Sequence, residues 1–357
     1  MADIKEILQF AVTNNATDIH IKVGDVPKYR IAGDIQKSHF ERFTSSDFGN
    51  LLTNEFKLTS YQKEQLEKNR QIDIGFGVKD IGRFRVNVFF QRGNYAAVFR
   101  YLSNRIPTFE ELDLPDIVKD IALKPRGLVL ITGITGSGKS TTLASIVDFI
   151  NKQKAKNIIT IEDPIEYIFH DENSIVVQRQ VGFDCVDFAW GLRGALREDP
   201  DVIMVGEMRD PETIKTALEA AETGHLVLST LHTLNASETI NRIISTFDAK
   251  DQKQIRTQLA SVIQAVISQR LIRSISKEKG RVVATEILIG TDFVKDAILD
   301  QDKTPNLSKA LKLGTDGMMS FDDSLLELYR KELISLESAL EFAENPTDLS
   351  LKIKGLI

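Results

Sequence analysis

Cysteine is nearly missing from this chain: Cys185 stands alone among 357 residues. One thiol closes no internal disulfide and builds no cysteine-based zinc cluster; it reads as a small buried hydrophobe. Long apolar runs are missing too, the longest lying near 127–134, well short of the ~18 residues that span a bilayer. Nor do the first residues, MADIKEILQF, read as a secretory signal, because Asp3, Lys5 and Glu6 interrupt the apolar stretch. Neither charge sign dominates. Lys and Arg number 45 against 51 Asp and Glu, a net −6 that argues against a large nucleic-acid footprint. With 21 glycines and 9 prolines, a collagen or low-complexity chain is excluded. What is present is a 42% hydrophobic content, ample for buried cores. The length suggests two or three domains at about 150 residues each. A soluble, multi-domain protein of a reducing compartment is expected.

Residues 1–103 read as a mixed α+β unit. Ile4, Ile7, Leu8, Ala11 and Val12 recur at helical spacing before a stop at Asn14-Asn15. Alternation over 18–23 predicts a strand, and 28–31 with 35–37 around Ala32-Gly33-Asp34 a hairpin. Helices are expected over 44–55 and 59–69, with Thr44 and Thr59 as N-caps, followed by strands over 83–90 and 95–102. A connector over 104–125, marked by Pro107, Pro115 and Pro125, leads into the larger domain, 126–357. There, short apolar runs at 127–132, 157–161, 202–205 and 225–230 alternate with helical patterns at 139–151, 187–198 and 211–223. Such alternation predicts a parallel sheet with crossover helices. Beyond 249 the pattern is mostly helical, with one strand at 281–289.

The chemistry concentrates in this second part. Gly133-Ile-Thr-Gly-Ser-Gly-Lys-Ser140 fits G-x-x-x-x-G-K-[ST] between a strand and a helix, the context that marks a phosphate loop. Its glycines let backbone N–H groups turn inward, and the following helix N-terminus adds partial positive charge. Lys139 is placed to reach the β- and γ-phosphates, and Ser140 to hold Mg²⁺. In Thr160-Ile-Glu-Asp-Pro-Ile-Glu166, carboxylates follow a strand and face the same crevice. Glu162 is favoured as the group that orients or deprotonates the attacking water, the alternative being a solvated acidic loop. The run 202–205 ends in Gly206-Glu207, like a Walker B strand whose glutamate meets the Mg²⁺ hydration shell; an ordinary strand-end carboxylate is the plainer reading. His225 and His232 bracket a further buried run and either sense the γ-phosphate, contact a neighbouring subunit, or serve structure alone. Arg193 and Arg197 share a helix face, and Arg85 and Arg100 lie on the strand ribbon. Guanidinium groups suit phosphate clamping in trans, although most arginines make ion pairs or solvated faces.

In their order, GITGSGKSTTLA, TIEDPIEY, LRGALREDPDVIMVGEMRDPETI and TGHLVLSTLHT resemble the secretion-superfamily ATPases, in particular the pilus retraction ATPases of twitching motility, with their PilT and PilU branches. The likeness covers nearly the whole chain, including TDIHIKVGDVPKYRIAGDI near the front. It implies an α/β fold: a RecA-like P-loop NTPase domain behind a smaller PAS-like α+β N-terminal domain. Also implied are ATP and Mg²⁺ as cofactors and a cytoplasmic homohexamer at the inner face of the inner membrane. Hydrolysis would draw pilin subunits back. A membrane platform protein and a paralogous retraction ATPase are the implied partners; nucleic acid is not, and the membrane is met only through protein.

By motif, the resemblance puts nucleotide binding on Gly133, Ile134, Thr135, Gly136, Ser137, Gly138, Lys139, Ser140 and Thr141. It puts catalysis on Glu162, Glu207, His225 and His232, metal contact on Ser140 and Glu207, and interface arginines on Arg85, Arg100, Arg193 and Arg197. Three departures matter. Ile134 replaces a usual proline, and one cysteine cannot supply the four-cysteine motif of the extension ATPases. The helix resembling AIRNLIRE in the PilT branch is replaced by Val294-Lys-Asp-Ala-Ile-Leu-Asp-Gln301, while the tail over 320–356 leans toward the PilU branch. That lean keeps an alternative open, an accessory ATPase that depends on PilT and turns over weakly by itself.

Overall fold

The computed structural model describes residues 3–102, 105–276 and 280–356. It divides into two units, Met1–Arg105 with Pro164–Ile168, and Ile106–Asp163 with Phe169–Ile357.

In the first unit a six-stranded antiparallel sheet forms from β1 (Ala16–Lys22), β2 (Lys28–Ile31), β3 (Asp34–Lys37), β4 (Gln71–Val78), β5 (Gly82–Gln91) and β6 (Asn94–Leu102). Its order is β3-β2-β1-β6-β5-β4. Along β5, Phe84, Val86 and Val88 are buried while Arg83, Arg85 and Asn87 turn outward, the period of two that a one-sided sheet requires. The helix Ile4–Thr13 lays Ile7, Leu8 and Ala11 into the same core. Two expectations change here. The stretch 44–55 is a short helix, Ser45–Asn50, opened by a Thr44–Asp47 capping box and continued by a wider π-turn, Leu51–Glu55. Strand β4 escaped the sequence reading because Gly75 and Gly77 dilute its pattern; a Cβ on Gly75 would lie 2.8 Å from Arg83 Nη2, the movable end of a flexible side chain, and Gly77 has open space around it.

The second unit holds β7 (Gly127–Thr132), β8 (Asn157–Glu162), β9 (Ile175–Gln180), β10 (Val202–Val205), β11 (Leu226–Leu231), β12 (Ile263–Arg273) and β13 (Arg281–Ile289). They run in the order β13-β12-β7-β11-β10-β8-β9, with every pair parallel except β12 with β13. Every residue of β7, β10 and β11 is buried, as strands covered on both faces demand. The crossover helices are Lys139–Gln153, Phe188–Ala195 and Pro211–Glu222.

β9 and β12 were not anticipated. Ile263–Arg273 follows the helix Gln252–Val262 with no glycine or proline between them, so its apolar positions continue a helical reading; the open edge of β7 takes it as strand instead. The stretch expected as a connector carries the helix Ile117–Ala122, with Val118 and Ile121 buried, and packs Phe109 against Phe149 at 4.9 Å. Cys185 is half-buried, and burial raises its thiol above the ordinary value. Among the described residues no helix is long and apolar enough to cross a membrane.

Candidate functional site

β7 ends at Thr132 and the chain enters the loop through Gly133, at φ +144°. A Cβ there would lie 2.5 Å from both the Gln269 carbonyl oxygen and Ser137 Oγ, so only glycine fits. Gly136 and Gly138 also adopt positive φ, and Gly138 leads into the helix Lys139–Gln153. The loop closes on itself through Ser137 N–H to the Ile134 carbonyl at 3.1 Å. Lys139, only 8% exposed, donates Nζ to the carbonyls of Gly133 at 2.7 Å and Ile134 at 3.0 Å. Ser137 Oγ is buried and has no hydrogen-bond partner among the described residues. Ile134, Thr135, Gly136 and Ser140 are exposed along the rim, and Thr141 is half-buried on the first helical turn. The helix is held from below by Gln269 Nε2 donating to Thr142 Oγ1 at 2.8 Å.

The parallel register lines up the other candidates along one edge. Leu231 pairs with Thr132, so His232 emerges beside Gly133; Val205 pairs with Ser229 and with Ile161. Gly206 donates its N–H to the Ile161 carbonyl at 2.8 Å, and a Cβ on it would meet that oxygen at 3.3 Å and Glu162 Cα at 3.5 Å. Glu162, buried at the end of β8, accepts Thr160 Oγ1–H at 2.7 Å and Gln178 Nε2–H at 3.0 Å on Oε1. Glu207 Oε2 lies 2.7 Å from Arg209 Nε and 3.4 Å from His232 Nε2. His232 Nδ1 in turn lies 3.5 Å from Lys139 Nζ. Lys139, His232, Glu207 and Arg209 thus form one line across the edge, with Glu162 on the neighbouring strand.

Not every candidate joins this line. His225 sits at the opposite end of β11, roughly 20 Å away at about 3.3 Å per strand residue. There its Nδ1 hydrogen-bonds with the Ala220 carbonyl at 2.8 Å and lies 3.2 Å from Thr223 Oγ1, which joins the helix Pro211–Glu222 to the strand after it. Arg193 pairs with Glu212 and lies over the Trp190 ring at 4.8 Å. Arg197 is exposed beyond the end of the helix Phe188–Ala195. Arg85 and Arg100, in the first unit, are directly opposite each other in the β5–β6 register. Arg85 pairs with Asp73 at 3.5 Å and Arg100 with Asp18 at 2.9 Å.

Sequence reasoning missed Arg209, whose ion pair with Glu207 only the folded edge discloses, and Gln178, which lies on the unanticipated β9. Asp210, capping the next helix, accepts Thr213 N–H at 2.8 Å and Thr213 Oγ1–H at 2.6 Å. Burial pushes its carboxyl up, but these hydrogen bonds outweigh burial and hold it below the usual carboxylate range. The edge therefore assembles two cations, loop amides, an imidazole and two carboxylates. That set can bind a polyphosphate, offer hard oxygen donors to a divalent cation and direct a water.

Comparison with known proteins gives a consistent outcome. Residues 1–323 match the family model described as Type II/IV secretion system protein. Over 345 residues the chain is 42% identical to the type IV pilus retraction ATPase PilT of Pseudomonas aeruginosa, covering 96% of this chain and 99% of that one. The PilU pilus ATPase of the same organism is 37% identical over 356 residues, or 99% of this chain and 91% of its own. Overall identity is thus higher to PilT, whereas the alignment to PilU reaches further along the chain. Among solved structures, the crystal structure of the pilus retraction motor PilT with bound ADP has a TM-score of 0.89 at 46% identity, covering 98% and 99% of the two chains. The ATPase DotB of Legionella pneumophila has a TM-score of 0.82 at 29% identity, covering 99% and 96%. The fold expected from the motifs, a P-loop ATPase domain behind a smaller α+β domain, is borne out by these likenesses.

Proposed function

Because the chain belongs to the type II/IV secretion system protein family and aligns over nearly its whole length with a pilus retraction ATPase, we propose that it is the ATP-hydrolysing motor of type IV pilus retraction and twitching motility. The observation that carries this reading is the line Lys139–His232–Glu207 beside Glu162. The loop over 133–141 receives the phosphates: its positive-φ glycines bring backbone N–H groups close, the buried Ser137 hydroxyl gains a partner, and Lys139 counters the β/γ charge. Glu162, fixed by Thr160 and Gln178, orients the attacking water or takes its proton. His232, between Lys139 and Glu207, senses the γ-phosphate.

Ser140 and Glu207 would hold Mg²⁺; a hydroxyl on the loop rim and a strand-end carboxylate are hard oxygen donors that suit this ion together with the nucleotide phosphates. Bound there, Mg²⁺ supplies charge neutralisation between the phosphate oxygens. Arg85, Arg100, Arg193 and Arg197 belong in this reading to the contacts of a homohexamer, where a guanidinium from one subunit reaches a neighbour's nucleotide. His225 fits the same ring as a positioning residue rather than a group on the phosphates. The ring works in the cytoplasm against an inner-membrane platform protein. Domain limits near 1–103 and 126–357, with 104–125 joining them, complete the proposal.

The test is ATP hydrolysis by the purified chain. Lys139→Ala and Glu162→Gln are each expected to abolish turnover, and hydrolysis persisting in either overturns the site assignment. In cells, deletion should abolish twitching and leave more surface pili; unchanged motility would sink the retraction reading. A second reading, an accessory ATPase acting alongside PilT, draws on the longer alignment to PilU. Motility lost on deletion even when PilT is overproduced would favour the motor over the accessory.

A further inference from the structure

Beneath the phosphate loop a buried hydrogen-bonded line crosses three strands. Thr132, the residue before Gly133, donates its hydroxyl to Ser268 Oγ on β12 at 3.0 Å. Ser268 Oγ donates to Glu286 Oε1 on β13 at 3.4 Å. The same carboxylate oxygen accepts the N–H of Ala236 at 2.7 Å. Register makes this possible: Thr132 pairs with Ser268, and Ser268 with Glu286. None of the three side chains is more than 2% exposed. Ala236 opens the helix Ala236–Ser245, reached from His232 by the turn over 233–235. One carboxylate oxygen therefore ties the root of the phosphate loop to the root of the segment that carries His232.

A carboxylate is a costly way to fill such a position unless its charge has a use. Among the described residues no cation pairs with Glu286. Two charged groups face it, Arg270 from β12 and Glu344 beyond the helix Leu336–Phe342. Arg270, however, is committed elsewhere: it donates to the Phe342 carbonyl at 2.6 Å, lies 3.7 Å from Glu344 and stacks over Phe321 at 3.8 Å. Burial pushes Glu286 up to about 7, opposed by the Ala236 N–H and Arg270 and reinforced by Glu344.

We propose that Glu286 is a positioning residue for nucleotide turnover, its carboxylate setting the spacing between the phosphate loop and His232. This rests on the reading of the loop as the nucleotide site. The ionised form binds Ala236 N–H as a charge-assisted acceptor and complements the positive end of the helix. Taking up a proton weakens both contacts and loosens the His232 segment relative to the loop. Glu286 touches no reacting atom in this scheme; it acts through Thr132 and Ala236.

The experiment compares the full-length protein with Glu286→Gln, which keeps the shape and an acceptor oxygen but cannot ionise. ATP hydrolysis and binding of a fluorescent N-methylanthraniloyl ADP are followed across pH in parallel. The ratio of wild-type to Glu286→Gln kcat/KM is expected to rise about tenfold between about pH 6 and 8 and to level off on either side. ADP affinity should follow the same course with smaller amplitude, and this readout decides the matter if turnover itself is undetectable. Glu286→Ala, which loses the acceptor, should lower kcat more than it raises KM. Ratios independent of pH in both assays overturn the proposal whatever the absolute rates. Absent hydrolysis in the wild type, with ADP binding and its pH dependence intact, would instead count against the motor reading alone.

Discussion

Replacing Glu286 by glutamine should change the stability of the second unit in a manner set by pH. An ordinary glutamate titrates at 4.5, whereas burial raises Glu286 to about 7. At about 1.4 kcal/mol for each tenfold in proton affinity, ionising it costs the folded state roughly 3 kcal/mol relative to the unfolded chain. The sign follows from which state holds the proton more tightly. Here the fold does, so the protonated residue stabilises fully below 4.5, and that contribution is lost as pH rises through about 7. Glutamine has no proton to lose. Its amide brings a constant offset from imperfectly matched hydrogen bonds, about 1–3 kcal/mol, but an offset has no slope. Melting of both proteins without nucleotide should therefore diverge from about pH 5 to 8.5, with the variant gaining. At about 2–4 °C per kcal/mol for a domain of this size, the divergence should reach roughly 6–12 °C. A difference in midpoint that stays level within about 2 °C across that range would refute the buried-carboxylate reasoning.

Further outcomes follow from the same geometry. His232→Ala breaks the link between Lys139 and Glu207; steady-state hydrolysis should fall by about 10²–10³-fold, as for loss of one donor aimed at developing charge, with ADP affinity little changed, and a wild-type rate would exclude His232 from γ-phosphate sensing. His225→Ala should lower the melting midpoint by removing the contact to Ala220, while the phosphate loop of the isolated subunit keeps its ADP affinity; a large loss of affinity in fluorescence titration would contradict its placement. Gly133→Ala forces a Cβ to within 2.5 Å of the Gln269 carbonyl, with backbone strain of about 1–3 kcal/mol, so ADP binding should be lost by calorimetry. Asp210→Ala removes an N-cap worth about 1 kcal/mol. Because that carboxyl is held below its usual range, its stabilisation is present above the unfolded value and lost as pH falls through the folded one, so acid melts should converge on the wild type.

Much of the second unit was legible because its strands carry two signals at once. The runs at β7, β10 and β11 are uniformly apolar, and each is followed by a residue type tied to phosphate chemistry. Asp210-Pro211 and Gly224 fixed the limits of the helix between β10 and β11 in the same way. Other elements lacked such punctuation. β12 continues from a helix without a breaker, and its apolar positions satisfy either period; only the unpaired edge of β7 chooses strand. β9 shows Ile175 and Val177 exposed at a sheet edge, so its alternation reports no buried face. Site residues divided similarly. Lys139 and Glu162 stand in motifs, whereas Glu286 matters through strand register and partners distant in sequence, and Arg209, only two residues from Glu207, pairs with it through a side-chain conformation that spacing alone does not specify. His225 and His232 look equivalent in the sequence, and strand direction alone separates them.

The passage from the helix Gln252–Val262 into β12 has a mechanical meaning. Val262 and Ile263 are buried at the joint, and neither glycine nor proline provides a soft torsion there. β12 is registered against β7, whose end becomes the phosphate loop, with one irregularity between Ile263 and Ala265. The loop and the far end of the helix, about 16 Å from the joint at about 1.5 Å per residue, are thus linked through one strand pairing and a single uninterrupted length of chain.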